Sequence, residues 1–325
     1  MDWTWEAMIA AFVALGGVAS NVRPGCGARG PGLFCIDPSR SCSIQVPPNL
    51  LVAEDQLVLE DGVPRLLPSA EVDEAERDFY ERYYKTFSWR GAGQQDGVAF
   101  FAALEAVAPE IRDLLTDDLH FGGLLARART LPAFDEFKKS RSIRIVERKA
   151  MMPIVELVNH ASSVTGFNTM QGVAVRGRFA DEVLVRYART DAFGILASWG
   201  FANPEPRAYG LQMQFSWKGR AVSVHRVFRT SPQLPAITVT AKSIAISYVL
   251  LGHSEQPQMP RRLFAAAMAE AGENDAGPLF DVIRQRNCAT LGRLSAALDG
   301  RVGDGEALLG KTCAYQLQAL AGCDA

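Results

Sequence analysis

Hydrophobic and polar positions follow two rhythms, one of helices and one of strands, and the chain switches between them. Residues 3–15 are apolar at helical spacing up to Gly16-Gly17, which predicts an amphipathic first helix stopped by that pair. Asn21 to Pro31 is dense in Gly and Pro and reads as a loop. Gly32 to Ile36 reads as a short strand, Asp37-Pro38-Ser39 as a turn, and Cys42 to Val46 as a second strand ended by Pro47-Pro48. From Glu71 to Arg148 the pattern is helical. Glu71 to Phe87 is charged and aromatic, Asp96 is placed to cap a helix over Val98 to Val107 with Pro109 near its end, and Pro132 opens another through Phe134 and Phe137. Leu114-Leu115 and Leu124-Leu125 suggest further helices, and the aromatics Phe79, Tyr80, Tyr83, Tyr84 and Phe87 read as core. Strand signals return at Ile154 to Val158, Val173 to Val175 and Val183 to Tyr187. Tyr209 to Trp217 and Ala221 to Phe228 alternate about the turn Lys218-Gly219, as a hairpin does. Ile237 to Leu251 fits strand or helix. After Pro260 the reading is helical: Arg261 to Ala271, Leu279 to Leu298 and Glu306 to Leu320.

A helical block between two groups of strands predicts an α+β fold: one discontinuous, strand-rich domain with a helical insertion at about 70–148, followed by a helical C-terminal region. A doubly wound sheet would alternate strands and helices regularly, and this chain does not. The 325 residues are 48% hydrophobic and 22% charged with a net charge of −2, an ordinary globular composition with no overall electrostatic reason to bind nucleic acid or a membrane surface. A local basic patch, Lys138, Lys139, Arg141, Arg144, Arg148 and Lys149, reads mostly as a solvated helix face. The six cysteines form no C-x-x-C pair and have no His at ligand spacing, so neither a zinc site nor a disulfide framework is expected, and a reducing compartment is. Asp2 and Glu6 precede the apolar stretch Ala7 to Ala19, where a secretion signal would carry positive charge.

Candidate chemistry gathers between Met152 and Phe201. One apolar run ends in Asn159-His160, a second β-like run ends in Tyr187, and Trp199-Gly200-Phe201 follows at short helical spacing. Asn, His and Tyr at one end of a sheet would make a polar site. Upstream, Gly30-Pro31-Gly32 before a strand would let the backbone approach a ligand, or would simply be a tight turn.

As an ordered pattern these segments resemble the SET domain, the catalytic module of S-adenosylmethionine-dependent protein methyltransferases. The likeness is to the group with a large helical insertion, which includes the Rubisco large-subunit lysine methyltransferases and the actin-histidine methyltransferase. It covers roughly residues 5–215, with the helical tail a looser match. RGPGLFCIDPSRSCSIQVPPNLLV is similar to the family's opening, and Ser140-Arg141-Ser142 to a family element whose arginine reaches the donor's carboxylate, an ion that a guanidinium fork suits. Met152 to His160 resembles Val-Pro-Met-x-Asp-x-x-Asn-His, with Pro153 matching and Glu156 in place of Asp. Tyr187 falls on the family's catalytic tyrosine, and Trp199-Gly200-Phe201 on its Tyr-Gly-Phe; Asn203-Pro204 and Ala208-Tyr209 fit the continuation. The implied donor-binding residues are Gly30, Gly32, Leu33, Phe34, Arg141, Glu156, Asn159, His160, Tyr187 and Phe201. Tyr187 is the implied catalytic residue, and Tyr187, Trp199 and Phe167 the implied substrate channel.

The chain departs from the family at Trp199, at Phe193 where Glu is common, at Asp191 where Asn is usual, and at Ala161. The resemblance implies a catalytic domain over 1–228 and a mostly helical substrate-gripping domain over 229–325. It implies S-adenosyl-L-methionine as cofactor, S-adenosyl-L-homocysteine as product, no metal, and a cytoplasmic monomer acting on a protein lysine. The alternatives are a protein-histidine methyltransferase on the same scaffold and a catalytically degenerate module that holds a peptide.

Overall fold

In the computed structural model, which describes residues 3–89, 94–118, 125, 132–145, 148–226, 234–274 and 276–322, the first apolar stripe forms helix α1 (Trp5–Ala14). Thr4 Oγ1 caps it by accepting from Ala7 N at 3.2 Å, and Met8 and Phe12, one turn apart, are fully buried. Two packed units carry the fold: Met1–Ala99 with Leu131–Tyr187, and Phe100–Thr130 with Ala188–Ala325, each around its own apolar core. These bounds differ from the expected domains 1–228 and 229–325.

In the first unit, β4 (Cys42–Val46) is the middle strand between β1 (Val18–Ser20) and β10 (Val173–Gly177), antiparallel to both. Its Cys42, Ile44 and Val46 point into the core in the period-2 pattern read from the sequence. Asn21 to Pro31 is not a loop. It is most of a hairpin, β2 (Val22–Gly27) against β3 (Gly30–Cys35), with Gly25 opposite Gly32 and Gly27 opposite Gly30. The glycines that looked like loop composition answer to packing, since a Cβ on Gly25 would lie 2.6 Å from the Phe34 ring that covers it from the facing strand. A second hairpin pairs β5 (Leu57–Glu60) with β6 (Val63–Leu66).

Helix α2 (Glu74–Thr86) opens with a reciprocal capping box: Asp73 accepts from Glu76 N and Glu76 accepts from Asp73 N. It presents Phe79, Tyr80, Tyr83 and Tyr84, all essentially buried, as one aromatic face. After Pro132, α3 (Ala133–Arg141) buries Phe134 and Phe137. The helical block ends in a strand, β7 (Ser142–Ile145), paired with β8 (Arg148–Met151). Part of the basic patch is paired, Lys138 with Asp135 at 3.0 Å and Lys149 with Glu54 at 3.2 Å, while the Arg141 guanidinium lies 5.0 Å from the Phe137 ring centroid.

Ile154 to Val158 is the clearest correction among the expected strands. Val155 N donates to Pro153 O at 2.8 Å around Ile154, whose φ is 68° and ψ −52°. This is a γ-turn of the rare hand at a β-branched residue, a geometry that costs on the order of 1–3 kcal/mol unless its surroundings impose it. Here Ile154 is fully buried and its N–H is anchored on the Tyr83 hydroxyl at 2.9 Å. A 3-10 turn, Val155–Leu157, leads into the two-residue strand β9 (Asn159–His160), which pairs in parallel with β11 (Leu184–Val185).

The helix Gln94–Glu105, along which the chain passes from the first unit into the second at 99/100, begins two residues before Asp96, which therefore falls in its first turn. Pro109 opens the next helix, Pro109–Asp113, where its missing N–H is harmless, and does not end the previous one. Leu114 to Asp118 continues helically; Leu124 lies outside the described residues. Helix α4 (Ala192–Trp199) is capped by Asp191 and closed by Gly200 in the left-handed region. β12 (Arg207–Tyr209) is followed by the expected hairpin, β13 (Met213–Trp217) and β14 (Arg220–His225), around Lys218-Gly219 with positive φ at both residues.

The ambiguous stretch proves to be β15 (Ala236–Val239), β16 (Ser243–Ser247) and β17 (Leu250–His253). β16 lies parallel to β14 and antiparallel to β15, and β17 pairs with β12. Ile244 and Ile246, both fully buried, settle it as strand: alternate positions one face apart suit a sheet and not a helix. Helices α5 (Met259–Glu270), α6 (Ala276–Leu298) and α7 (Asp304–Ala321) complete the unit.

Candidate functional site

The site in the first unit is built by the parallel pairing of β9 with β11. That pairing sets Asn159 opposite Leu184 and His160 opposite Val185, and Ala161 N extends it by donating to Val185 O at 3.1 Å. Just past the end of β11, Tyr187 N donates to His160 Nδ1 at 3.0 Å. An Nδ1 that accepts leaves the proton of a neutral imidazole on Nε2, so the backbone chooses the tautomer. The Tyr187 hydroxyl donates to Val158 O at 2.7 Å. Two rings contact its ring: Phe167 stacks on it at 6.1 Å and 10°, and His160 tilts against it at 5.1 Å.

Gly32 packs directly on this pair of strands. A Cβ there would sit 2.5 Å from Asn159 Nδ2, so a larger residue would have to displace the Asn159 amide. Asn159 Nδ2 donates to Pro31 O at 3.0 Å and to Glu182 Oε1 at 2.8 Å, tying β9 to the β2–β3 hairpin. Gly30 has a positive φ and forms the hairpin bend; Leu33 is buried in the core, and Phe34 bridges to Glu182. A cleft of about 470 Å³ opens here, with Arg29, Phe34, Phe179 and Glu182 among its lining. Glu182 also accepts from Arg29 Nη1 at 2.8 Å. Sequence reading missed Glu182. Its partners Asn159 and Arg29 are 23 and 153 positions away, and no local pattern carries a contact across 153 residues.

Glu156 lies deeper, 6% exposed. Its Oε1 accepts from Tyr83 Oη at 2.9 Å and from Ser88 Oγ at 2.5 Å. Burial pushes its carboxyl up to about 7, against the pull of the Arg141 charge and of the Ser88 and Tyr83 hydrogen bonds. The same charges reach Tyr187: burial pushes its phenol up to about 12, Arg141 lowers it, and Glu182 and Glu156 raise it. Arg141, Glu156, Glu182 and Tyr187 are thus electrostatic neighbours. Tyr83 is a core aromatic, as its place in the sequence predicts, and its hydroxyl also anchors Ile154 and Glu156.

Trp199 and Phe201 belong to the second unit, at and just beyond the end of α4. The departures at 191 and 193 have packing reasons there. Phe193 is fully buried in the second core. Asp191 accepts from Gly194 N, Tyr209 N, Gln316 Nε2 and Arg226 Nη2 at 2.9, 3.1, 2.9 and 2.6 Å, and its negative charge matches that arginine. Among the described residues no group of three or more His, Cys, Asp or Glu side chains could hold a metal ion, and no helix is long and apolar enough to cross a membrane.

The Glu156 carboxyl makes stability depend on pH. Its folded value, about 7, lies above the model-peptide 4.5, so the folded chain holds a proton that the unfolded chain has released. The associated stability is fully present below pH 4.5 and is lost as pH rises through 7, by about 3 kcal/mol. Glu156→Gln is expected to flatten urea-denaturation stability between pH 4.5 and 8; an unchanged slope would remove Glu156 as its source.

No protein-family model matches the chain, and no curated protein matches it in sequence. Among solved structures it is similar to the SET domain of LSMT bound to MeLysine and AdoHcy, at 13% identity and a TM-score of 0.40, over 98% of this chain and 90% of that one.

Proposed function

We propose that the chain is an S-adenosylmethionine-dependent protein N-methyltransferase of the SET kind, acting on lysine. One observation carries this reading: the three motifs that resemble the family, Gly30-Pro31-Gly32, Asn159-His160 and Tyr187, are far apart in sequence and meet in one hydrogen-bonded cluster. The departures at 191 and 193 are accounted for by packing in the second unit and do not favour a degenerate module.

The residues suit the donor. Arg141 Nε, Trp89 Nε1 and Tyr84 Oη are buried donors without a hydrogen-bond partner among the described residues, and Glu156 Oε2 is a buried acceptor in the same condition. An α-carboxylate would satisfy Arg141 and an α-ammonium Glu156. When bound, the donor supplies a sulfonium methyl: the S–CH₃ bond breaks as the N–CH₃ bond forms, and sulfur becomes a neutral thioether.

The protein's part is alignment and environment. Neutralising lysine at pH 7 costs about 4–5 kcal/mol, and an apolar channel lowers its pKa by disfavouring the ammonium. Tyr187 is not the base that takes this proton, because its phenol is held at about 12. Its hydroxyl donates to Val158 O, so toward an amine the oxygen would act as an acceptor. It accepts an N–H from the incoming amine, which turns the nitrogen lone pair toward the methyl and stabilises the positive charge that develops on nitrogen. A histidine target is already neutral at pH 7 and would not need the apolar channel; the mass and fragmentation of a methylated partner distinguish the two.

Calorimetric titration with S-adenosylmethionine tests the reading. Wild type is expected to bind, and Asn159→Ala, which unties β9 from Pro31 and Glu182, to bind at least about tenfold more weakly, the equivalent of ~1.4 kcal/mol. Absence of binding to wild type would overturn the proposal.

A further inference from the structure

The connection from β3 to β4 carries a second piece of chemistry, independent of methyl transfer. Cys35, the last residue of β3, and Cys42, the first of β4, are both buried, and their sulfurs are 3.0 Å apart. That is about 1 Å longer than a disulfide bond of ~2.05 Å. Neighbouring hydrogen bonds hold the approach from both sides. Asn21 Nδ2 donates to Asp37 O at 2.8 Å and to Arg40 O at 3.0 Å, while Asp37 N donates to Asn21 Oδ1 at 2.8 Å, so one side chain organises the connection between the two cysteines. Cys35 N donates to Asp181 O at 2.7 Å, which fixes the end of β3. The Cys42 thiol donates to Asn21 O at 3.2 Å and the Cys35 thiol to Phe179 O at 3.4 Å. Both sulfurs are therefore placed by the fold, and a small shift of each would bring them to bonding distance.

We propose that Cys35 and Cys42 are a disulfide-forming pair, a covalent modification site that closes the connection from β3 to β4. The two thiols are oxidised and a small-molecule disulfide is reduced. A thiolate of one cysteine attacks the external disulfide and expels one thiol. The second cysteine, as thiolate, then attacks the mixed disulfide and expels the other, so one S–S bond forms, one breaks, and two protons pass to the released thiols. Both sulfurs are buried and burial pushes the Cys42 thiol up to about 12, so the exchange proceeds through local opening or during folding. Cys26, exposed on β2, is the internal control: it is more accessible to oxidant but has no described sulfur beside it.

The test equilibrates the full chain with reduced and oxidised glutathione over a range of ratios, quenches with an alkylating agent under denaturing conditions, and maps the peptides by mass. Expected are a linked Cys35–Cys42 peptide with the loss of two hydrogen masses, and a rise in Tm of about 3–5 °C that dithiothreitol reverses. Cys35→Ser and Cys42→Ala are each expected to lose the linked peptide and the oxidant-dependent rise. The wild-type measurements stand even where a variant folds poorly. Full alkylation of both cysteines at the most oxidising ratio, or linkage of either one to Cys26, would overturn the proposal.

Discussion

Tyr187→Phe is expected to lower methyl transfer in a single turnover by about 100- to 1000-fold, while the affinity for S-adenosylmethionine changes by less than about threefold. The separation follows from the atoms involved. The residues proposed to hold the donor are Arg141, Glu156 and Asn159, and phenylalanine leaves all of these in place. Tyr187 N still reaches His160 Nδ1, and the ring still stacks on Phe167. What disappears is the oxygen proposed to accept from the nucleophile, together with its bond to Val158 O. The freed carbonyl costs about 1–2 kcal/mol of stability, so the rate comparison belongs well below the Tm of both proteins. Since the phenol stays neutral up to about pH 12, the wild-type rate should show no ionisation of Tyr187 in the ordinary assay range. Equal single-turnover rates for the two proteins would sink its assigned role.

Asp191→Ala is expected to have the largest effect on stability, a loss of about 3–5 kcal/mol in urea denaturation. The residue is fully buried, and its two oxygens serve the N-terminus of α4, the backbone of β12, Gln316 on α7 and the Arg226 guanidinium. Alanine would leave each of these donors in an apolar interior. Asp191→Asn keeps the cap on Gly194 but takes the carboxylate from Arg226, and should fall between wild type and alanine. A change below about 1 kcal/mol for alanine would mean that the cluster is satisfied by other means.

Much of the fold was legible where local pattern and final environment agree. Cys42–Val46, the hairpin about Lys218-Gly219 and the three C-terminal helices each show the period, the turn residues or the stops that their elements need. The failures have a common cause, residues whose form is dictated from a distance. Gly25 and Gly27 look like loop but are strand because Phe34 fills the space above them. Ile154 looks like strand but is held in a γ-turn by a hydroxyl 71 positions away. The candidate site divides along the same line. Asn159, His160 and Tyr187 could be named from their order along the chain. Glu182, the Tyr83 hydroxyl and Ser88 could not, because their role is to hold other side chains and no spacing announces it.

The two cores have a consequence for synthesis and for fragments of this protein. The chain passes from one unit to the other at 99/100, 130/131 and 187/188, so neither unit is a continuous stretch. A growing chain cannot finish the first unit until Tyr187 has emerged, and Leu104, Val107, Ile111 and Leu115 must wait for core partners that begin at Phe193 and run to Leu320. Those early apolar side chains are the ones exposed longest to misassociation, the usual hazard of interrupted domains. For the same reason a fragment cut at residue 228, where sequence reading alone would place a boundary, keeps residues 100–130 but discards β15 to β17 and α5 to α7, and is expected to aggregate.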